Sequence, residues 1–146
     1  MAFHFTLAAV LRFRQSMEQH EYFALETLQH QARALEKSIK QVMQAISGAR
    51  HSRERHLAEG IQAADLHSTT DYEQGLDQQL AAFEKQLAQT RLRWRNQLQV
   101  YQAARRRRET LDKLRSDQLD AYRREQSKRE QSTIDDLFRS RRRPRE

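Results

Sequence analysis

The sequence has no cysteine, only one proline and only three glycines among its 146 residues. Without cysteine, the chain can form neither a disulfide framework nor a thiolate metal site. Because glycine and proline are so scarce, it also lacks the turn residues that a compact fold of many elements requires. These absences predict an elongated all-α protein, and a charged fraction of 32% suits long solvated helices.

Long apolar runs are missing as well. No run approaches the roughly 18 residues that a membrane-spanning helix requires. The opening FHFTLAAVLRF has no basic leader, and Arg12 and Arg14 interrupt it, so we do not expect a cleaved signal. We therefore expect a cytoplasmic protein.

Motifs that carry chemistry are also absent. The three glycines lie far apart and form neither a phosphate-binding loop nor a dinucleotide fingerprint. None of the six histidines has the spacing of a metal-ligand motif. Asp135 and Asp136 are adjacent, so on a helix they point about 100° apart, and nothing nearby would desolvate them. We expect no catalytic residue, no metal ligand and no cofactor.

The stretch from Leu25 to Ala49 carries the strongest pattern in the chain. Its apolar residues recur alternately three and four positions apart, which is the a/d pattern of a coiled coil. A second stripe of the same kind begins at Leu76. The predicted coiled-coil core consists of Leu25, Leu28, Leu35, Ile39, Val42, Ile46, Leu76, Leu80, Phe83, Leu87, Trp94 and Tyr101.

The N-terminal part of the first stripe is less regular. Val10, Met17 and Ala24 share a heptad frame that differs by one position from the frame beginning at Leu25. The sequence therefore predicts a shift of the stripe between Met17 and Leu25.

The only convincing break lies in residues 60–70, where Gly60 is a candidate helix C-cap. The predicted order is a first helix over 1–59 with an N-cap near Thr6, a turn over 60–70, and a second helix over 71–122. Ala63 and a capping box at Thr70 both remain possible starts for the second helix. Residues 123–146 form a basic tail, helical or disordered. Because a short connection makes two helices antiparallel, we predict a two-helix antiparallel coiled-coil hairpin with a frayed basic C-terminal tail.

Positive charge concentrates in the C-terminal part. Residues 105–146 hold fifteen Arg and Lys against nine Asp and Glu, or +6 of the total +7. The clusters are Arg105–Arg108 and the arginines from Arg139 to Arg145. Such clusters bind nucleic acid or acidic protein surfaces, or simply form a solvated helix face. Acidic residues interrupt the basic stretch, unlike the basic region of a leucine-zipper DNA reader.

Three groups of residues resemble the flagellar FliJ family. The first is the opening F-x-L-x-x-V-L-x-x-R, in which Phe5 begins the pattern and Arg14 ends it. The second is Gly60 followed by AADL, Tyr72 and Leu76, and the third is EQ and DDL before a basic tail. The likeness covers nearly the whole chain. Stalk proteins of virulence-type type III secretion share this plan and are an alternative.

The resemblance implies a non-enzymatic antiparallel coiled coil similar to the central stalk of rotary ATPases. Such a stalk would bind in the pore of the hexameric flagellar export ATPase, reach the cytoplasmic domain of the export gate, and handle export chaperones. It would serve motility and chemotaxis from the flagellar base, peripheral to the inner membrane through its partners only. Tyr72 and Leu76 would face the gate. The ATPase ring would contact Leu7, Val10, Leu11, Leu114, Leu119, Tyr122, Leu137 and Phe138.

Two other functions remain open at this point. One is a nucleic-acid-binding coiled coil that uses its basic C-terminal half, although nucleic acid is the less favoured partner. The other is a general chaperone for exported subunits.

Overall fold

The computed structural model describes residues 2–142 and contains two helices, α1 (Ala8–Glu59) and α2 (Ala63–Arg141). The predicted all-α class, with two long helices, is confirmed, and no strand occurs among the described residues. Neither helix is apolar over a sufficient length to cross a bilayer. Pro144 and the last arginines of the predicted tail lie outside the described residues.

The two helices are separated by only three residues, and Gly60 explains where α1 ends. Its φ of 87° lies in the left-handed region, which glycine adopts without the steric cost of a Cβ. At the other end, α1 begins at Ala8, two residues after the predicted cap Thr6, and the Ala8 amide donates to the Phe5 carbonyl at 3.2 Å.

Helix α2 is longer at both ends than the predicted span of 71–122. It starts at Ala63, so residues 63–70 of the predicted turn are helical, and the hydroxyls of Thr69 and Thr70 donate to carbonyls four residues earlier. Asp65 in the first turn and arginines in the last turn complement the helix dipole. The described part of the predicted tail is helical up to Arg141.

The chain divides into two compact units. The central unit comprises His20–Tyr101, and the terminal unit comprises the residues up to Gln19 together with those from Gln102 onward. Each unit therefore contains one segment of α1 and one segment of α2. In each unit, residues that come later in α2 contact residues that come earlier in α1, as in an antiparallel helix pair.

The core of the central unit is formed by Val42, Ile46 and Leu76, with four partly buried apolar residues packed against them (Ala45, Ala49, Leu80 and Phe83). Leu25 and Leu87 are also buried. The other predicted core residues are half-buried: Leu28, Leu35, Ile39, Trp94 and Tyr101. A single facing helix covers a stripe only partly, and the structure accordingly has no large side chain that is completely buried among the described residues.

The terminal unit has a small core in which Phe5 and Leu11 are buried. The ring of Phe3 contacts the ring of Tyr122, with centroids 5.7 Å apart. Val10 and Met17, which would be core residues in a shifted heptad frame, are instead exposed.

The predicted shift of the stripe in α1 is therefore wrong. Counting back from Leu25, the same spacing of four and three reaches Glu21, Glu18, Arg14, Leu11 and Leu7, and all five are buried or half-buried. The frame continues, but charged residues occupy three of its positions. An apolar pattern alone misses such positions because it does not count polar residues that find a partner.

Candidate functional site

Polar side chains on the heptad stripes form specific pairs between α1 and α2. In the central unit, Nη1 of Arg53 donates to Oε2 of Glu73 at 2.7 Å, and Glu73 is buried. Nε2 of Gln97 donates to the backbone oxygen and to Oε2 of Glu21, at 3.0 and 2.5 Å. These pairs offset part of the cost of burying charges and amides, and Oε1 of Glu73 is left buried without a hydrogen-bond partner among the described residues.

The corresponding pair in the terminal unit is centred on Arg108. Its Nε donates to Oε2 of Glu18 at 2.6 Å, and its Nη1 donates to Oδ2 of Asp112 at 2.7 Å. Hydrogen bonds to Glu18 and then Asp112 raise the pKa of Arg108 further above its ordinary value. Arg108 is therefore a permanently charged residue at the helix interface, and it holds a carboxylate of each helix.

The arginine cluster at residues 105–108 is consequently not one uniform basic patch. Arg108 is bound to the carboxylates of Glu18 and Asp112, and Nε of Arg105 donates to Oε1 of Glu109 at 2.8 Å. Arg106 and Arg107 are exposed and form no ion pair within the described chain. Two of the four arginines therefore remain available to an external anion.

The predicted ring-binding residues fall into three groups. Leu11 is buried in the terminal unit, and Leu7, Leu119 and Tyr122 are half-buried there. Val10 and Leu114 are exposed. Leu137 and Phe138 lie in the last part of α2, where every described residue after Gln126 is exposed. Leu137 and Phe138 thus lie on an exposed segment of α2, whereas Leu11 lies in the core of the terminal unit.

The two predicted gate-binding residues are also separated by burial. Tyr72 is 59% exposed, whereas Leu76 belongs to the core with Val42 and Ile46. The side chain of Tyr72 can therefore contact a partner directly, while Leu76 fixes the position of α2 through its core contacts with Val42 and Ile46.

The sequence pattern does not predict that several aromatic residues are exposed. Phe13 and Phe23 are 57% and 64% exposed. In the terminal unit, Phe13 lies three residues after Val10 and four before Met17, so these three residues form an exposed apolar stripe along α1. The heptad pattern of the sequence predicts Val10 and Met17 as core residues and gives Phe13 no role. In the central unit, the Tyr22 ring contacts Tyr101, and a hydrogen bond to the Glu26 carboxylate raises the Tyr22 pKa.

No group of three or more His, Cys, Asp or Glu side chains in residues 2–142 could hold a metal ion. A shallow surface depression in the central unit lies along α1 beside Asp77 and Leu80 of α2. What the described residues offer is a set of helix surfaces, with apolar residues in the terminal unit, Tyr72 in the central unit, and arginines near the end of α2.

Comparison with protein-family models matches residues 3–145 to the family described as flagellar FliJ protein. No curated protein and no solved structure matches the chain.

Proposed function

The chain belongs to the flagellar FliJ family, and from this membership we propose that it is the stalk protein bound in the pore of the hexameric flagellar export ATPase. The family acts in flagellar type III protein export and hence in motility, as a non-enzymatic component. The observation that carries the proposal is the extent of the match, because residues 3–145 include both helices and the connection between them.

The terminal unit supplies the surface that we assign to the ATPase ring. Val10 and Leu114 are 41% and 38% exposed in the terminal unit, so both apolar side chains can contact a partner directly. Leu7, Leu119 and Tyr122 are half-buried and extend this surface, while Leu11 supports it from the core. Arg106 and Arg107 would speed association with an acidic pore through electrostatic steering.

The central unit supplies the second contact, with the cytoplasmic domain of the export gate. Tyr72 is the residue that we assign to it, because a large aromatic side chain with a polar hydroxyl is a frequent interface anchor. Leu76 would act indirectly, by fixing the α2 segment that carries Tyr72. Export chaperones are the third class of partner proposed. Through these contacts the chain would work at the flagellar base, on the cytoplasmic side of the inner membrane.

The ring contact can be tested with the purified export ATPase. Changing Val10→Asp together with Leu114→Asp should weaken binding by ~10-fold or more, since charges would replace apolar contacts in a desolvated interface. The matched control is Leu92→Asp with Val100→Asp, because these residues are 58% and 47% exposed in the central unit. Both double variants should retain the helical content of the parent chain. Equal ATPase binding by the two variants would exclude this surface.

A further inference from the structure

The last turns of α2 present apolar and basic side chains that nothing in the described chain covers. Ile134, Leu137 and Phe138 are 45%, 57% and 65% exposed. They lie at positions i, i+3 and i+4, so they share one face of the helix. Their exposure differs from that of the heptad stripes, where the facing helix covers at least part of each apolar residue.

Three arginines follow directly on the same helix end. Arg139, Arg141 and Arg142 are exposed and form no ion pair within the described chain. The segment 137–142 contains no acidic residue, and the nearest carboxylates in the sequence before it are those of Asp135 and Asp136. This distinguishes the three arginines from Arg105 and Arg108, whose guanidinium groups are bound to carboxylates. The sequence continues with Arg143 and Arg145, which lie outside the described residues.

The angular arrangement of these side chains is that of an amphipathic helix. At about 100° per residue, the three apolar residues span an arc of about 100°. Arg142 and then Arg139 lie on one flank of this arc. Arg141 lies at the same angle as the middle of the arc, about one helical turn closer to the C-terminus. Asp136 is on the opposite side of the helix. Asp135 is on the arginine flank, where its Oδ1 accepts a hydrogen bond from Gln131 at 3.2 Å.

We propose that this surface, formed by Ile134, Leu137, Phe138, Arg139, Arg141 and Arg142, binds directly to a membrane surface that contains anionic phospholipid. The apolar residues would enter the boundary between headgroups and acyl chains, and the arginines would contact phosphates around them. Arg141 can extend its guanidinium toward the headgroups from a helix face that is otherwise apolar. The chain would thus have a membrane contact of its own, in addition to contacts made through its partners.

Charge and geometry favour a membrane over a groove on a protein partner. A helix that binds in a groove usually offers apolar anchors at i, i+3, i+4 and i+7. Here the fourth position is Arg141, so only one turn is apolar. The arginines also lie both on one flank of the apolar turn and beyond its C-terminal end. A lipid surface supplies anionic groups in every lateral direction and can therefore meet all of them at once.

The test is co-sedimentation of the full chain with vesicles of phosphatidylcholine alone or mixed equally with phosphatidylglycerol. At low salt, we expect ~10-fold or more binding to the anionic vesicles, decreasing as salt screens the arginines. Leu137→Glu with Phe138→Glu should abolish binding. Leu92→Glu with Val100→Glu should leave it unchanged, because it adds the same charge to exposed sites of the central unit.

A second pair of variants separates this surface from the general basicity of the chain. Arg139→Gln, Arg141→Gln and Arg142→Gln together should abolish binding. Arg95→Gln, Arg106→Gln and Arg107→Gln remove the same charge from other exposed positions and should leave most of the binding intact. Equal losses in the two triple variants would overturn the proposal, as would equal binding to both kinds of vesicle. Absence of vesicle binding, with the export ATPase captured through Leu137 and Phe138, would assign the surface to a protein groove and likewise overturn it.

Discussion

At the scale of single residues, the decisive feature is that polar side chains on the heptad stripes are paired across the helices. Glu73 is buried against Arg53, and Glu18 shares Arg108 with Asp112. A polar residue at a core position of a coiled coil selects one register, because a slipped register leaves it without a partner. These pairs therefore specify which turn of α1 faces which turn of α2.

The contribution of burial to such a pair can be measured by comparing two ion pairs of the central unit. Glu73 and Arg53 have side chains 11% and 32% exposed, whereas Glu36 and Arg91 are 50% and 57% exposed at a distance of 3.0 Å. We expect Glu73→Ala to lower the free energy of unfolding by about 1–2 kcal/mol, since the half-buried side chain of Arg53 loses its partner. Glu36→Ala should lower it by about 0.5 kcal/mol or less.

Urea denaturation of the single and double variants gives a coupling energy for each pair. The Glu73–Arg53 coupling should exceed the Glu36–Arg91 coupling and should be less sensitive to salt. If the two couplings were the same size, the burial of Glu73 would have no energetic importance.

At the scale of the helices, glycine plays two different roles. Gly60 has a positive φ and ends α1, whereas Gly48 and Gly75 lie inside helices at positions where a side chain would contact no other part of the described chain. A glycine inside a helix adds backbone entropy to the unfolded chain and gains nothing in packing at these two sites. The two helical glycines therefore weaken their own turns of the central unit.

Alanine substitution should consequently change stability in opposite directions. Gly48→Ala and Gly75→Ala should each raise the free energy of unfolding by about 0.5–1 kcal/mol. Gly60→Ala should lower it by about 1 kcal/mol, because alanine is strained at a φ of 87°. Thermal unfolding followed by circular dichroism measures all three. A stabilising Gly60→Ala would contradict the role of this residue as the helix C-cap.

The helices could be predicted well from the sequence where one residue type determined the outcome. The spacing from Leu25 to Ala49 predicted the stripe of α1, and Gly60 marked its end. The sequence pattern gives the wrong stripe between Leu11 and Leu25, because Glu18 and Glu21 can occupy core positions only when they pair with Arg108 and Gln97. Those partners are 90 and 76 residues away in the chain. No local pattern contains that information.

The surfaces were harder to predict than the helices for a related reason. The family resemblance predicts one role for Tyr72 and Leu76, which lie four residues apart, yet Tyr72 is exposed and Leu76 is in the core. Burial depends on which side of α2 faces α1, and a difference of four residues turns a side chain about 40° around the helix. The rotation of α2 against α1 therefore decided which of the two could meet a partner.

At the scale of the whole molecule, charge is distributed very unevenly, since residues 105–146 account for +6 of the net +7. Part of that charge is compensated locally, because Arg105, Arg108 and Arg129 each bind a carboxylate. The uncompensated arginines would attract any polyanion, so a basic C-terminal half does not by itself indicate nucleic acid. A measurement of DNA binding is needed to separate the two functions.

In the stalk function, labelled duplex DNA should bind only weakly, with a dissociation constant above about 10 μM at about 150 mM salt, within the range of non-specific binding. Replacing the exposed Arg106 and Arg107 by glutamine should then mainly slow association with the export ATPase, because Arg105 and Arg108 are bound to carboxylates of the chain. Micromolar or tighter binding to DNA would favour the nucleic-acid function instead. In that case the same two substitutions should weaken DNA binding markedly, and affinity should fall with salt by about 0.9 log units per phosphate contact.

The connection at Gly60 also has a consequence for the order in which the chain folds. The pair Arg53–Glu73 joins residues 20 apart in sequence, whereas Glu18–Arg108 joins residues 90 apart. Closing a longer loop costs more chain entropy, by about 0.6 kcal/mol for each doubling of its length. We therefore expect folding to begin next to Gly60 and to proceed by zippering, so that the contacts of the terminal unit form last. During synthesis, α1 would leave the ribosome before any of α2, and its apolar stripe would stay open to chaperones or to other chains until the first turns of α2 had followed.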